Sequence, residues 1–131
     1  MNGKALIDVA NALDFSMGMP PRLAIKEGDS LGAQIQRAFP DVKVVKTLNT
    51  MNCYVMVNPQ MAGGGDHTVF MSGNDSDAKA QVRALLASFG WTDILDLGDI
   101  STARGVELLL PLWLNISANL GYAPFNFKIV R

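Results

Sequence analysis

The sequence predicts a single α/β domain over residues 1–131, with about five strands in one sheet and helices on both faces. Predicted strands and helices alternate along the chain, which is the pattern of a layered α/β sheet. The first strand segment is almost continuously apolar, as expected of a parallel strand that is covered on both faces. With 49% hydrophobic and 18% charged residues, the chain can form a buried core, which argues against intrinsic disorder. We expect the sheet to be largely parallel at its start.

The first half of the chain contains two of the predicted strands. Residues 5–10 form the apolar strand, and residues 42–48 form a second strand rich in β-branched side chains. Residues 11–28 lie between them as a loop that carries several Gly and Pro residues, and residues 29–39 follow as a helix with a polar cap at its start. Because loops of this length in a compact domain are usually functional or disordered, the loop is a candidate lid.

The second half of the chain contains three more strands and three helices. In chain order, they are a short helix over 51–57, a strand over 67–72, a helix over 75–89, a strand over 94–97, a helix over 101–120 and a strand over 125–130. The helix over 75–89 is the clearest, because its apolar residues share one face and Gly90 follows as a C-terminal cap. The helix over 101–120 is amphipathic, and we expect Pro111 to kink it. Its apolar stretch is shorter than the ~20 residues of a membrane span and contains polar residues.

Composition and charge exclude several classes of function. Eleven Lys and Arg residues against twelve Asp and Glu residues give a net charge of −1, so the chain lacks the basic excess that binds nucleic acid. One Cys and one His rule out a disulfide framework and argue against a zinc site. There is no recognisable signal peptide at the start of the sequence. We therefore expect a cytoplasmic domain with no nucleic-acid, membrane or metal partner.

Polar residues follow two of the predicted strands, at the ends where α/β sheets bind ligands. Asn11 follows the first strand and Asn49-Thr50 follow the second, and ligands bind beyond the carboxyl ends of such strands. These amide and hydroxyl groups either hydrogen-bond a polar cofactor or substrate, or Asn simply turns the chain at each place. Cys53 lies just beyond Asn49-Thr50, and either lines the same crevice or is a buried small side chain.

Two other features have structural explanations. His67 stands at the start of a predicted strand and has no carboxylate neighbour except Asp66, so we interpret it as a packing or capping residue. The Gly63-Gly64-Gly65 run precedes a strand, so it lacks the helix N-terminus of a phosphate-binding loop. We interpret this run as a flexible connection.

Several motifs together resemble one family of enzymes. The segments are Gly3-Lys4 with Ile7–Phe15, Val45–Thr50, Gly65–Phe70, Leu97–Ile100, Ala103–Glu107, Pro111–Trp113 and Phe125–Arg131. In this order they resemble the motifs of the NADP-dependent oxidoreductases related to NADPH:deazaflavin (coenzyme F420) oxidoreductase. The resemblance covers essentially the whole chain. A more distant similarity, in the Asn49-Thr50 segment, is to the cytoplasmic domain of the six-transmembrane metalloreductases.

The resemblance implies binding of NADP(H) and transfer of hydride to or from a deazaflavin or flavin ring. It also implies which residues lie near the nicotinamide and the acceptor ring: Asn11, Ala12, Asn49, Thr50, Met51 and Cys53. Ala12 stands where the family usually has Pro. No catalytic acid or base is expected among these residues, because in such enzymes the cofactor supplies the chemistry and the protein orients the rings.

The resemblance further implies an incomplete Rossmann-like sheet. The family fold begins with a strand, a G-x-G-x-x-G turn and a helix, whereas this chain begins at what resembles the fourth strand. We expect the chain to be the C-terminal portion of such an oxidoreductase, without the phosphate-binding turn. Without the first strands, one edge of the strand over 5–10 is bare, and a bare edge recruits a partner strand. We therefore expect a homodimer or higher oligomer that covers this edge.

Two functions remain open at this point. The first is part of an NADP(H)-dependent hydride-transfer enzyme, or a truncated homologue of one. The alternative is a non-catalytic truncated relative that oligomerises or binds a partner, which the missing glycine turn favours because the pyrophosphate then loses its helix N-terminus.

Overall fold

A computed structural model describes all residues, 1–131, and contains six strands and five helices. The strands are β1 (Ala5–Asp8), β2 (Leu13–Asp14), β3 (Arg22–Leu23), β4 (Lys43–Thr47), β5 (Thr68–Gly73) and β6 (Asp93–Gly98). The helices are α1 (Leu31–Ala38), α2 (Cys53–Val57), α3 (Ser76–Ser88), α4 (Ala103–Glu107) and α5 (Leu110–Asn119). Short 3-10 turns lie at Pro59–Met61, Gly63–Gly65 and Ile100–Thr102.

The main sheet has four strands in the order β1-β4-β5-β6. The pairs β1–β4 and β5–β6 are parallel, whereas β4–β5 is antiparallel. The predicted α/β class is therefore confirmed, and the first strand pair is parallel as expected. The strand β1 lies at one edge of the sheet and pairs only with β4.

Helices cover both faces of this sheet. Neighbouring residues of a strand point to opposite faces, and Val44 and Val45 of β4 accordingly belong to two different buried clusters. Val45 packs in the larger cluster, which includes residues of α2 and α3. Val44 packs in the smaller cluster, together with Ile100 and Ala103 at the start of α4. The prediction of helices on both faces is confirmed.

The prediction of a fifth strand over 125–130 is wrong. This segment runs beside the start of β5, where the Thr68 N–H donates to the Phe127 carbonyl at 2.9 Å. The next contact is made by a side chain, because the Ile129 N–H donates to Thr68 Oγ1 at 2.9 Å. Since the hydroxyl of Thr68 replaces a backbone carbonyl here, no regular strand ladder forms.

The helix predicted over 101–120 is interrupted rather than kinked. It consists of α4 and α5, which are separated by two residues, and Pro111 lies in the first turn of α5. Proline has no N–H to donate to the preceding turn and is tolerated only at the beginning of a helix. None of the helices is both long and apolar enough to cross a membrane.

The candidate lid contains a small hairpin. In the loop predicted over 11–28, β2 and β3 pair antiparallel, with Leu13 opposite Leu23. The hairpin brings Leu23 back toward the end of β1, and the Ala24 N–H donates to the Ala12 carbonyl at 3.0 Å. The loop therefore folds over the carboxyl end of β1.

Candidate functional site

The carboxyl ends of β1 and β4 meet, and their two asparagines bond to each other. The Asn11 side-chain Nδ2 donates to the Asn49 backbone carbonyl at 2.8 Å. In return, Asn49 Nδ2 donates to Asn11 Oδ1 at 3.2 Å. The structure thus brings together the two residues that follow the first two predicted strands.

The backbone just before Asn49 adopts a rare conformation. Leu48 has φ of 64° although it is not glycine, and it is buried. Such left-handed residues cost roughly 1–3 kcal/mol and cluster at functional sites. The turn at Leu48 directs Asn49 toward α4, where Asn49 Nδ2 also donates to the Val106 carbonyl at 3.2 Å. Sequence reasoning missed this feature, because nothing in the composition of the segment marks Leu48 as left-handed.

The Asn49 amide has a free acceptor. Both hydrogens of Nδ2 are used, by Asn11 and by Val106, whereas Oδ1 accepts no hydrogen bond in the chain. The unpartnered polar side-chain atoms that are fully buried are Trp113 Nε1 and Asn126 Oδ1. Because Asn49 Oδ1 is not one of them, it retains access to solvent and can accept a hydrogen bond from a ligand.

A cavity of about 230 Å³ adjoins Asn11 of this pair. Its walls come from the end of β1, the hairpin loop and α4, and its lining residues are Asn11, Ala12, Leu23, Ile25, Lys26, Glu27, Asp29, Arg104, Glu107 and Leu108. Pockets for whole drug-sized ligands are usually ~300–1,000 Å³, so this cavity has room for one ring system rather than for a complete dinucleotide. We refer to it as the α4 cavity.

A buried ion cluster lies at the base of the α4 cavity. Lys46 is 0% exposed, and its Nζ donates to Asp8 Oδ2 at 2.9 Å and to the Ala10 carbonyl at 2.5 Å. The same ammonium lies 3.5 Å from Glu107 Oε2. Because Ala10 immediately precedes Asn11, the Lys46 ammonium fixes the backbone that presents Asn11. Sequence reasoning did not predict this cluster, although a Lys inside a run of β-branched strand residues was a visible signal.

The carboxylate of Glu107 also occupies the N-terminus of α1. It accepts hydrogen bonds from the Leu31 N–H at 2.7 Å and from the Gly32 N–H at 3.2 Å. In dinucleotide-binding folds, free N–H groups at such a helix end bind phosphate. In this chain the end of α1 already holds a carboxylate, so it offers no phosphate site.

The remaining predicted site residues are spread over different environments. Ala12 lines the α4 cavity beside Asn11. Thr50 is buried, and Met51 belongs to the larger hydrophobic cluster. Cys53 is exposed at the first residue of α2. Of the six residues, Asn11 and Ala12 line the α4 cavity. Asn49 does not line it but is joined to Asn11 by hydrogen bonds, whereas Thr50, Met51 and Cys53 have no contact of either kind.

The histidine and the glycine run are structural. The buried His67 ring lies with Nε2 2.8 Å from the Pro59 carbonyl and Nδ1 2.7 Å from Asn126 Nδ2, which agrees with the predicted packing role. Gly63–Gly65 forms a 3-10 turn in which all three residues have positive φ. It is a defined turn rather than the flexible connection that we expected. No group of three or more His, Cys, Asp or Glu residues is arranged to hold a metal ion.

Comparison with known proteins links this fold to reductases. A crystal structure of a candidate F420-dependent NADP-reductase from Arthrobacter sp. FB24 matches 99% of the chain, with 62% sequence identity and a TM-score of 0.97. The chain is therefore similar in sequence and fold to a protein described as an F420-dependent NADP-reductase. A protein of that name from Methanocaldococcus jannaschii is 23% identical over 118 residues. These similarities confirm the resemblance that the motifs carry.

The match to these reductases covers only part of their length. The chain spans 59% of the Arthrobacter protein and 52% of the Methanocaldococcus reductase. A hypothetical protein from Sinorhizobium meliloti is 32% identical with a TM-score of 0.62, and the chain spans 48% of it. No family model matches the sequence.

Proposed function

We propose that this chain is the ring-binding part of an NADP(H)-dependent oxidoreductase, which transfers hydride between NADP and a deazaflavin- or flavin-type acceptor. The names of the reductases that it resembles support NADP and F420 as the cofactor classes. The observation that carries the proposal is the Asn11–Asn49 pair beside the α4 cavity. The expected location of such an enzyme is the cytoplasm.

The residues at the site fit a nicotinamide ring. Asn49 Oδ1 is a free acceptor that lies behind Asn11 rather than in the cavity lining, and it suits the N–H of a carboxamide that extends past the ring. Asn11 Nδ2 holds Asn49 in place by donating to the Asn49 backbone carbonyl. Ala12, Leu23 and Leu108 give part of the cavity wall an apolar surface against which a ring can pack. The cofactor supplies the hydride chemistry when bound, while these residues orient its ring. The transfer of a hydride requires no side-chain acid or base at the site.

We place the glycine-rich turn and helix N-terminus that bind the pyrophosphate outside this chain. Glu107 fills the N-terminus of α1, and the sequence contains no G-x-G-x-x-G turn. The reductases that the chain resembles are considerably longer than it is. In this proposal, the part of their length that the chain does not span carries the phosphate-binding turn.

The alternative function is a non-catalytic, truncated relative that oligomerises or binds a partner. The free edge of β1 favours it, because an unpaired strand edge is a surface that adds another strand. In either case we propose self-association, most simply as a homodimer in which this edge is covered.

The consumption of NADPH separates the two functions. We expect the purified chain to oxidise NADPH slowly in the presence of a soluble flavin or F420, and Asn49→Ala to lower this rate. Asn115→Ala, an exposed asparagine of α5, serves as the matched control. If the rate with the chain does not exceed that of the mixture without protein, the proposal that this chain alone supports hydride transfer fails.

A further inference from the structure

We propose that Arg104, assisted by Lys26, binds the anionic group of the ligand whose ring occupies the α4 cavity. The group is a phosphate or a carboxylate on an otherwise flat or apolar organic body. This inference rests on the proposed function, since it concerns the same cavity, and it adds the charge of the ligand and the residues that recognise it.

The acidic residues of the cavity wall are mostly neutralised within the chain. Asp29 accepts two hydrogen bonds from the Arg37 guanidinium, at 3.1 and 2.7 Å. Glu107 accepts from the two helix amides of α1 and lies against Lys46. Glu27 is the one wall carboxylate without a partner, and it is exposed to solvent.

The basic residues of the same wall have no partner. Arg104 is partly buried on α4, and its guanidinium forms no hydrogen bond or salt bridge with any residue of the chain. It precedes Glu107 by three residues, so both side chains lie on the same face of α4. Lys26, which is exposed on the hairpin loop, is also without an ion pair and lines the cavity from another element.

Two unpaired cations from different elements at one cavity point to an anionic ligand. A guanidinium that is partly removed from water gains most from a bidentate partner, and phosphate and carboxylate match its planar set of donors. The apolar residues Leu23, Ile25 and Leu108 lie in the same cavity and suit the uncharged body of the ligand. The combination indicates an organic anion rather than a free inorganic ion.

Riboflavin and FMN provide a matched pair of probes, because they share one ring and differ in a phosphate. We expect the full chain to bind FMN more tightly than riboflavin in calorimetric titrations. Arg104→Gln should weaken FMN binding roughly tenfold, since hydrogen bonds to charged groups are among the strong ones, and should leave riboflavin binding unchanged. Arg83→Gln, which removes an arginine of α3 outside this cavity, should affect neither flavin.

NMR of the Arg104 side chain tests the contact directly. The Arg104 Nε–Hε resonance should shift saturably with FMN and with NADP⁺, but not with riboflavin. Three results would each overturn the inference: equal affinities of the wild type for FMN and riboflavin, a loss of FMN affinity in Arg83→Gln as large as that in Arg104→Gln, or no shift of the Arg104 resonance with FMN and NADP⁺.

The outcome also separates this inference from the proposed function. If FMN binds through Arg104 but NADPH is not oxidised, the hydride-transfer proposal fails and the anion site stands. If NADPH is oxidised and Arg104→Gln binds both flavins like the wild type, the anion site fails and the hydride-transfer proposal stands.

Discussion

Lys46 connects the buried interior of the domain to the candidate site. Its ammonium binds the Asp8 carboxylate and the Ala10 carbonyl, and Glu107 completes the cluster. A buried charge is tolerated only when it is paired and hydrogen-bonded, because its desolvation cost is large. The pairing therefore fixes the ends of β1 and β4 relative to each other, which is what holds Asn11 against Asn49.

Asp29 determines part of the acid stability of the domain. The Arg37 guanidinium beside Asp29, together with the Ser30 N–H, lowers the pKa of the Asp29 carboxyl from 3.8 to about 2. Because the folded state holds this carboxylate in its charged form more strongly than the unfolded state does, Asp29 contributes stability above pH 3.8. That contribution is lost as the pH falls through about 2.

Asp29→Asn is therefore expected to be less stable than the wild type at neutral pH. The difference should shrink as the pH falls from about 4 to about 2, the interval between the two pKa values. Urea unfolding midpoints across this range provide the measurement. Asp41→Asn, at an exposed position without a side-chain hydrogen bond, is the control. The prediction would be contradicted if the urea midpoints of the wild type and of Asp29→Asn changed equally with pH.

Among the elements, α1 and α4 approach each other closely at a glycine. A Cβ added to Gly32 would lie 3.2 Å from Ala103 Cβ and 3.3 Å from Ile100 Cδ1. Both neighbours are buried, so neither has room to move away. The close approach allows the Gly32 N–H to reach the Glu107 carboxylate.

Two Gly→Ala substitutions test this packing. Alanine normally stabilises a helix by ~1 kcal/mol relative to glycine, and Gly105→Ala in α4 should do so because a Cβ there meets nothing within 4 Å. Gly32→Ala should instead destabilise the domain by ~1–3 kcal/mol, as overpacking of a core usually does. Chemical denaturation of both variants measures these differences, and stabilisation by Gly32→Ala would refute the proposed close packing.

At the scale of the whole molecule, the free edge of β1 governs the proposed self-association. Ala5 is exposed at the start of β1, so a charged side chain there does not disturb the core. Lysine on an edge strand opposes the addition of another strand. Ala5→Lys should therefore shift the protein from dimer to monomer while the fold of each chain stays intact.

Light scattering and analytical ultracentrifugation at micromolar concentration measure this shift. Ala80→Lys, which adds the same charge at an exposed position of α3, should remain a dimer. A wild-type chain that is monomeric under these conditions would refute self-association through β1.

The architecture was largely predictable, because it follows from the hydrophobic pattern. The four sheet strands and α1 to α3 were each recognised from apolar periodicity and caps. The fifth strand was not formed, since Thr68 bonds Ile129 through its hydroxyl, and side-chain bonding of this kind leaves no signal in an alternating pattern. The break before α5 depended on how Pro111 is accommodated, which periodicity alone does not determine.

The candidate site was predictable only in part. Asn11 and Asn49 could be selected because polar residues that follow apolar strands mark the binding end of an α/β sheet. The positive φ of Leu48 has no local sequence signal. The pairing of Lys46 with Asp8 and Glu107, and the absence of a partner for Arg104, depend on contacts between residues far apart in the chain.

The central claim is that Asn49 recognises the carboxamide of a nicotinamide ring. The acetylpyridine analogue of NADPH tests it most directly, because a methyl group replaces the carboxamide NH₂ and cannot donate a hydrogen bond to Asn49 Oδ1. A hydrogen bond contributes about 0.5–1.5 kcal/mol, so the wild type should bind NADPH roughly 2–10 times more tightly than the analogue. Asn49→Ala should bind the two equally. Equal affinities in the wild type, or undiminished discrimination in Asn49→Ala, would contradict the claim.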